Sequence, residues 1–269
     1  MARYIAEVLG DIPDPVIKEK SLLVRWDKEF NPLGTGSDYT VFIHHLGIPS
    51  ADLRFTADSG SGKATAYGVY HSIYDSFSWM EQFGDPTFVF HEKMSIVWGI
   101  CALRIADADI LPFEHFDQAL LVHKYVEQIE PMVPDAKLFR ELQRASIEFI
   151  KAARMIAIEK QKAKFGSFAI DSNLNDRLAF AERRFLHPKG LPLRKWFKHV
   201  IQAPDLYLGY SAVVLPGIYQ ASADQKDLKL ANEQARVLIT RLRAVSKYLR
   251  GDKFFVLDEQ EDSTITSAQ

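Results

Sequence analysis

Apolar residues recur at steps of three and four through most of the second half of the chain. Ala119, Val122, Val126 and Ile129 form one stripe, and Leu138, Leu142, Ala145, Phe149, Ala152 and Ile156 a second. Leu174, Leu178, Ala181 and Phe185 form a third, and Leu228, Ala231, Ala235, Leu238, Leu242, Val245 and Leu249 a fourth. Side chains so spaced share one helical face, so residues 116–250 predict an all-α bundle of amphipathic helices. Between the third and fourth stripes, Phe185 to Tyr219 carries Pro188, Pro192, Pro204 and Pro216. No continuous helix accommodates them, and a long ordered excursion of this kind often carries function. Periodicity ends at residue 250, and 251–269 predicts a disordered acidic tail.

The first 115 residues mix periods. Residues 1–10 predict a short helix closed by Asp11-Ile12-Pro13-Asp14-Pro15, whose prolines impose an extended exit. Asn31 to Asp38 is turn-rich. Ser37 or Asp38 is placed to cap a helix carrying Val41, Phe42 and Leu46 and ending at Gly47. Leu53-Arg54-Phe55-Thr56 alternates as a strand does, and Asp58 to Gly62 predicts a flexible loop. Phe88 to Ala108 predicts a long buried helix. This order suits the later part of an α/β domain, giving a mainly α chain with an incomplete α/β portion over 1–115.

Composition changes this picture little until it is split by position. The 269 residues are 47% apolar and 25% charged, which excludes collagen-like and disordered classes. The net charge of −2 hides a division: residues 1–136 hold 10 basic and 20 acidic side chains, 137–250 hold 22 and 10, and 251–269 hold 1 and 5. The middle segment leaves a basic helical nucleic-acid-binding protein as one alternative. Its cations are interleaved with helical apolar positions and lack an aromatic stacking series, so solvated helix faces are the favoured reading and no nucleic-acid partner is expected. Cys101 is the only cysteine and reads as a small buried hydrophobe. The N-terminus lacks the apolar core of a signal peptide, and no uncharged run is long enough to span a bilayer, so the chain itself predicts no membrane segment.

Three common motifs fail on inspection. His91-Glu92-Lys93-Met94-Ser95 has Ser95 where a second zinc-binding imidazole is required. Gly34-Thr35-Gly36-Ser37-Asp38-Tyr39 lacks the third glycine of a dinucleotide loop, and Ser61-Gly62-Lys63-Ala64 lacks the first glycine and the hydroxyl of a phosphate loop. Tyr67-Gly68-Val69-Tyr70-His71-Ser72-Ile73-Tyr74-Asp75 is more informative. An imidazole flanked by phenols on an irregular segment can bind a metal or stabilise an oxyanion, although spacing alone leaves a structural histidine as the alternative.

That segment, with Leu33-Gly34-Thr35-Gly36-Ser37-Asp38-Tyr39, Leu46-Gly47-Ile48, Phe83-Gly84-Asp85-Pro86, Leu111-Pro112-Phe113, Leu191-Pro192, His199-Val200-Ile201 and Pro216-Gly217-Ile218-Tyr219, resembles the C-terminal part of the glutamate carboxypeptidase and transferrin receptor family. The resemblance implies the end of a two-zinc metallopeptidase domain over 1–115 and a transferrin-receptor-like dimerisation domain over 116–250. It implies that His71 is a zinc ligand, Tyr70 the phenol that donates to the tetrahedral intermediate, and Tyr67 a substrate-side phenol. Gly36 and Ser37 fall in a loop lining the substrate subsite, Arg54 matches an arginine that recognises an acidic residue, and Tyr210 matches a phenol that holds a substrate carboxylate. Asp52 and Gly209 stand where the pattern has an arginine and a lysine. Each such cation contributes about 1.5 to 3 kcal/mol in a charge-assisted bond. Selectivity for C-terminal glutamate is therefore expected to be weak, with a broader, apolar peptide preference.

The same resemblance implies that the other zinc ligands and the general-base glutamate precede the match to Met1. A catalytic zinc needs about three protein ligands, and only His71 has a family counterpart here. His44 and His45 are adjacent and diverge, and His115, His123, His187 and His199 are scattered. The chain is thus expected to be a C-terminal segment of a zinc metallopeptidase, either a truncated gene product or a partial gene model beginning at an internal methionine, inactive alone and without tightly bound zinc. Its expected partners are a second copy, through the helices, and a peptide in the full-length context. A non-enzymatic dimerisation module is the competing class. Full-length relatives commonly carry an N-terminal membrane anchor, so compartment is left open.

Overall fold

The computed structural model describes residues 2–28, 30–56, 67–165 and 173–252. Its elements, in chain order, are α1 (Ala2–Asp11), α2 (Tyr39–Val41, continued by a π-helical turn Phe42–Leu46), α3 (Phe77–Trp79, continued by a π-helical turn Met80–Gly84) and α4 (Val89–Ala106). They are followed by α5 (His115–Gln128), α6 (Ala136–Lys164), α7 (Leu174–Phe180, continued by a 3-10 turn Ala181–Phe185), β1 (Gln202–Pro204), β2 (Ala212–Val214), α8 (Pro216–Tyr219) and α9 (Leu228–Arg250). The protein is mostly helical, as the periodicity predicts. It divides into two compact units, Met1–Asn31 with Ala51–Phe113, and Pro32–Ser50 with Glu114–Gln269. Residues 32–50, which the sequence pattern leaves with the first part of the chain, belong to the helical unit.

In the first unit, one face of α1 supplies Tyr4, Ile5 and Val8, which pack with Ile12 just beyond the helix and with Leu22, Val97 and Cys101. The Tyr4 hydroxyl donates to the Cys101 carbonyl at 2.5 Å, so the polar end of this buried phenol is satisfied. Asp14 holds the proline-rich exit: its carboxylate accepts from Val16 N, Ile17 N and the Arg25 guanidinium. The Arg25 hydrogen bond above all, with the two backbone donors and against the effect of burial, lowers Asp14 to about 2.

Two expectations fail in this unit. Leu53–Thr56 is extended but joins no ladder, because no neighbouring strand exists among the described residues to complete it. Leu53 faces the core but Phe55, which would share its face in a strand, is exposed with Arg54, so the alternation of the sequence is not carried into burial. The long helix forms as α4, but only Val97 and Cys101 are buried, with Met94 and Ile105 partly covered. α4 is apolar on all sides and this unit covers one stripe of it, leaving Trp98 and Leu103 exposed. The loop expected over Asp58–Gly62, and all but the first two residues of the expected tail, lie outside the described residues.

The second unit is built on α5, α6 and α9. α5 runs antiparallel to α6, as the pairs Glu127 with Gln143, His123 with Ser146, and Glu114 with Lys160 require. α9 runs parallel to α6: Arg243 reaches Glu141 and Glu148, and Arg177 joins Glu159 to the Leu249 carbonyl. A parallel neighbour cannot be reached by a tight turn, so the chain must travel back along the bundle. The proline-rich excursion is part of that return path. The four apolar stripes are buried as predicted except Leu228, the first residue of α9, which is half exposed beside the capping Asp227. Phe149 and Phe185 meet edge to face, 5.6 Å apart and fully buried, where α6 faces the excursion.

Candidate functional site

The residues singled out by the sequence form two groups, one in each unit. Tyr67, Tyr70 and His71 sit on consecutive turns closed by Tyr70 N to Tyr67 O at 3.1 Å and Ser72 N to Val69 O at 3.0 Å. The Ser72 hydroxyl donates to the Val69 carbonyl at 2.7 Å and accepts from Tyr74 N at 3.1 Å. His71 has φ +62°, a left-handed conformation uncommon outside glycine, which turns its imidazole onto the Tyr70 ring. The two rings stack with centroids 3.9 Å apart. The Tyr67 phenol donates to Asp75 at 2.8 Å, which raises its pKa, and its ring stacks on Trp79. All three residues are exposed. Arg54 and Asp52, in the same unit, are exposed on the extended run.

Donor chemistry decides what this cluster can hold. Among the described residues no group of three His, Cys, Asp or Glu side chains is arranged to bind a metal ion. His71 with Asp75 offers fewer ligands than the roughly three a catalytic zinc takes from protein. The described residues therefore do not fit a complete zinc centre.

The second group joins residues far apart in sequence. The loop Leu33–Asp38 lies against the hairpin that connects β1 to β2, whose strands pair antiparallel with Ala203 opposite Val213. Leu33 N donates to Gln202 Oε1 at 2.9 Å and Thr35 Oγ1 to the Gly209 carbonyl at 2.7 Å. Asp205 shapes the hairpin tip by accepting from Tyr207 N and Leu208 N, both at 2.8 Å. Gly36 has φ +102°, and a Cβ there would lie 2.5 Å from two ring carbons of Tyr210. Gly34 is as constrained, since its missing Cβ would fall 2.1 Å from the Tyr210 carbonyl. The glycines let the loop slide beneath the Tyr210 ring, so that Gly36 lies against Tyr210. Ser37 and Tyr210 are exposed, and Gly209 makes no close approach that would bar a side chain.

Behind this group lies a buried polar chain that spacing did not reveal. His199 Nε2–H donates to Glu182 Oε1 at 2.9 Å, and Gln118 Nε2 donates to Glu182 Oε2 at 2.8 Å. His199 Nδ1 accepts from Ile201 N and Gln202 N, both at 3.3 Å, which fixes the proton on Nε2. His115 adds Nε2–H to the Leu178 carbonyl at 3.0 Å. His44, fully buried, donates from Nε2 to the Gly34 carbonyl at 2.6 Å, its ring 6.5 Å from that of His199. His45 diverges from it and stacks on Trp196 at 4.8 Å. One signal for the chain was available: Glu182 stands four residues after Leu178, on the face of an apolar stripe.

A bundle of helices about a long excursion, with a loop seated under a phenol, defines a helical unit distinct from the first. Residues 133–250 match the transferrin receptor-like dimerisation domain. The chain is 38% identical over 226 residues to "Probable glutamate carboxypeptidase LAMP1" of Arabidopsis thaliana, covering 81% of this chain and 32% of that protein. It is 27% identical to "Probable glutamate carboxypeptidase VP8" of Zea mays over 98% of this chain and 38% of that protein, and 28% identical to "Aminopeptidase NAALADL1" of Rattus norvegicus over 75% and 28%. It belongs to the glutamate carboxypeptidase and transferrin receptor family. It spans about a third of the length of these relatives. Among the described residues no helix is long and apolar enough to cross a membrane.

Proposed function

We propose that this chain provides the C-terminal part of a zinc peptidase of the family and pairs with a second copy through its helical unit. His71 supplies one zinc ligand and Tyr70 a hydrogen bond to the developing oxyanion, with Tyr67 beside them. Gly36, Ser37 and Tyr210 contact the peptide, and Arg54 meets an acidic group of it. The cations missing at Asp52 and Gly209 broaden the choice of peptide. Residues 1–115 serve as the peptidase portion and 116–250 as the dimerisation portion, with 32–50 serving both by carrying a substrate loop on the helical unit. The observation that most supports this reading is the seating of Gly36 beneath Tyr210, 174 positions apart, in a chain whose relatives are named as peptidases.

The test is a chimera joining the chain to the preceding two-thirds of the Arabidopsis relative. It is expected to bind zinc and cleave peptides. His71→Ala should remove most turnover, and Tyr70→Phe should lower kcat by about a hundredfold with little change in KM. An active chimera indifferent to both substitutions would refute the assignment.

A dimerisation module without catalysis is the second reading, favoured by the match over 133–250. Sedimentation of the purified chain should give a dimer at micromolar concentration, dissociating on dilution. A monomer at all concentrations would count against pairing in both readings. The two readings part only at turnover in the chimera.

A further inference from the structure

His44 joins the substrate loop to the proline-rich excursion by three bonds. Its imidazole holds the Gly34 carbonyl at 2.6 Å, and its own carbonyl accepts from Lys198 N at 2.8 Å and His199 N at 3.2 Å. The imidazole is fully buried and lies 5.9 Å from the Phe197 ring. The side-chain ties from this loop to the β1–β2 hairpin, from Thr35 to Gly209 and from Leu33 to Gln202, are at exposed or partly buried positions and compete with water. We propose that His44 is the positioning residue of the Gly34–Ser37 loop, and that protonating it releases the loop from beneath Tyr210. That the loop meets a peptide rests on the function proposed above; that His44 holds it does not.

The surroundings disfavour a second proton on His44. Nδ1 is buried and makes no hydrogen bond. The groups facing the ring from the excursion are the guanidinium of Arg194 and the titratable ring of His199, and both oppose an imidazolium. Glu182 is engaged by His199 and Gln118, Asp205 acts on Arg194, and Lys198 Nζ lies beside His45 rather than His44. Burial first, then His199 and Arg194, push His44 from 6.5 down to about 4, against the opposing backbone of Gly34 and Gln202. The seated loop keeps His44 neutral, while a released loop lets it take up a proton once the pH falls below 6.5. Seating therefore weakens by up to about tenfold per pH unit between 6.5 and 4.

Hydrogen exchange of the Leu33 amide, which donates to Gln202 Oε1 at the start of this loop, tests this in the full chain once corrected for its intrinsic rate. Protection should fall by up to about tenfold per unit from pH 6.5 to 4.5. His44→Gln, which keeps an N–H donor and does not titrate, should hold protection flat; His44→Leu should lose it at every pH. A pH dependence surviving in His44→Gln overturns the proposal. So does an NMR titration of the unmutated chain in which His44 takes up its proton near 6.5, a measurement that requires no variant to fold. Neither readout involves peptide, so failure here leaves the substrate reading standing, and failure of the chimera leaves His44 in place.

Discussion

Glu182→Ala is expected to destabilise the helical unit by about 3 to 5 kcal/mol, the range for breaking a buried charge network by removing one partner. The carboxylate is buried, and both its oxygens accept, from His199 and from Gln118. Alanine would strand those two donors in a site too tightly packed for bulk water. His199 cannot compensate by changing tautomer, because its Nδ1 already accepts from two backbone amides. The thermal midpoint should fall by about 6 to 20 °C. Glu182→Gln keeps an acceptor for His199 and should cost about 1 to 2 kcal/mol. Burial alone would raise the Glu182 pKa, but the hydrogen bonds from His199 and Gln118 lower it overall. A lowered carboxylate contributes its stability above the unfolded value and loses it as the pH falls through the folded one. The acid limb below about pH 4.5 should therefore flatten in Glu182→Gln. Equal midpoints for the alanine variant and the parent would show that the network is dispensable.

What the sequence made legible here was whatever depends on period or on a contiguous motif. The stripes of α6 and α9 were readable because each apolar position reports on the same face of the same helix. The turn carrying Tyr67, Tyr70 and His71 was readable as a run, although its left-handed His71 was not. The polar network was invisible because its members lie 17 to 64 positions apart in three elements, and His199 became significant only once a fold placed it at Glu182. The expected strand at Leu53–Thr56 failed for a related reason: alternation is a property of a residue run, whereas a ladder belongs to two. α4 was misjudged because an apolar composition marks what a helix can bury, not what covers it. The excursion was recognised by its prolines, but its purpose, returning the chain so that α9 can lie parallel to α6, needed the direction of both helices.

Gly36→Val is expected to unseat the substrate loop, at a local cost of about 2 to 5 kcal/mol from a branched side chain at positive φ and from overlap with the Tyr210 ring. At φ +102° and 2.5 Å from two ring carbons, neither side can yield by small adjustment. The cheapest relief is to separate the loop from the hairpin tip, because Tyr210, Tyr207 and Leu208 are largely exposed and little apolar burial opposes their movement. Loss of global stability should therefore stop near the free energy that seats the loop, leaving the bundle folded. Amides of residues 33–38 and 205–211 should exchange much faster, while those of α5, α6 and α9 keep their protection. Peptide affinity in the chimera should fall with them, as a rise in KM larger than the fall in kcat. Gly209→Lys is the informative companion: nothing lies within 4 Å of a Cβ there, so its main cost is the positive φ of +62°. It adds a cation beside Tyr210, so the loop should stay seated while preference shifts toward peptides ending in a carboxylate-bearing residue. If Gly36→Val left both exchange and KM unchanged, the seating of the loop under Tyr210 would have no part in substrate recognition.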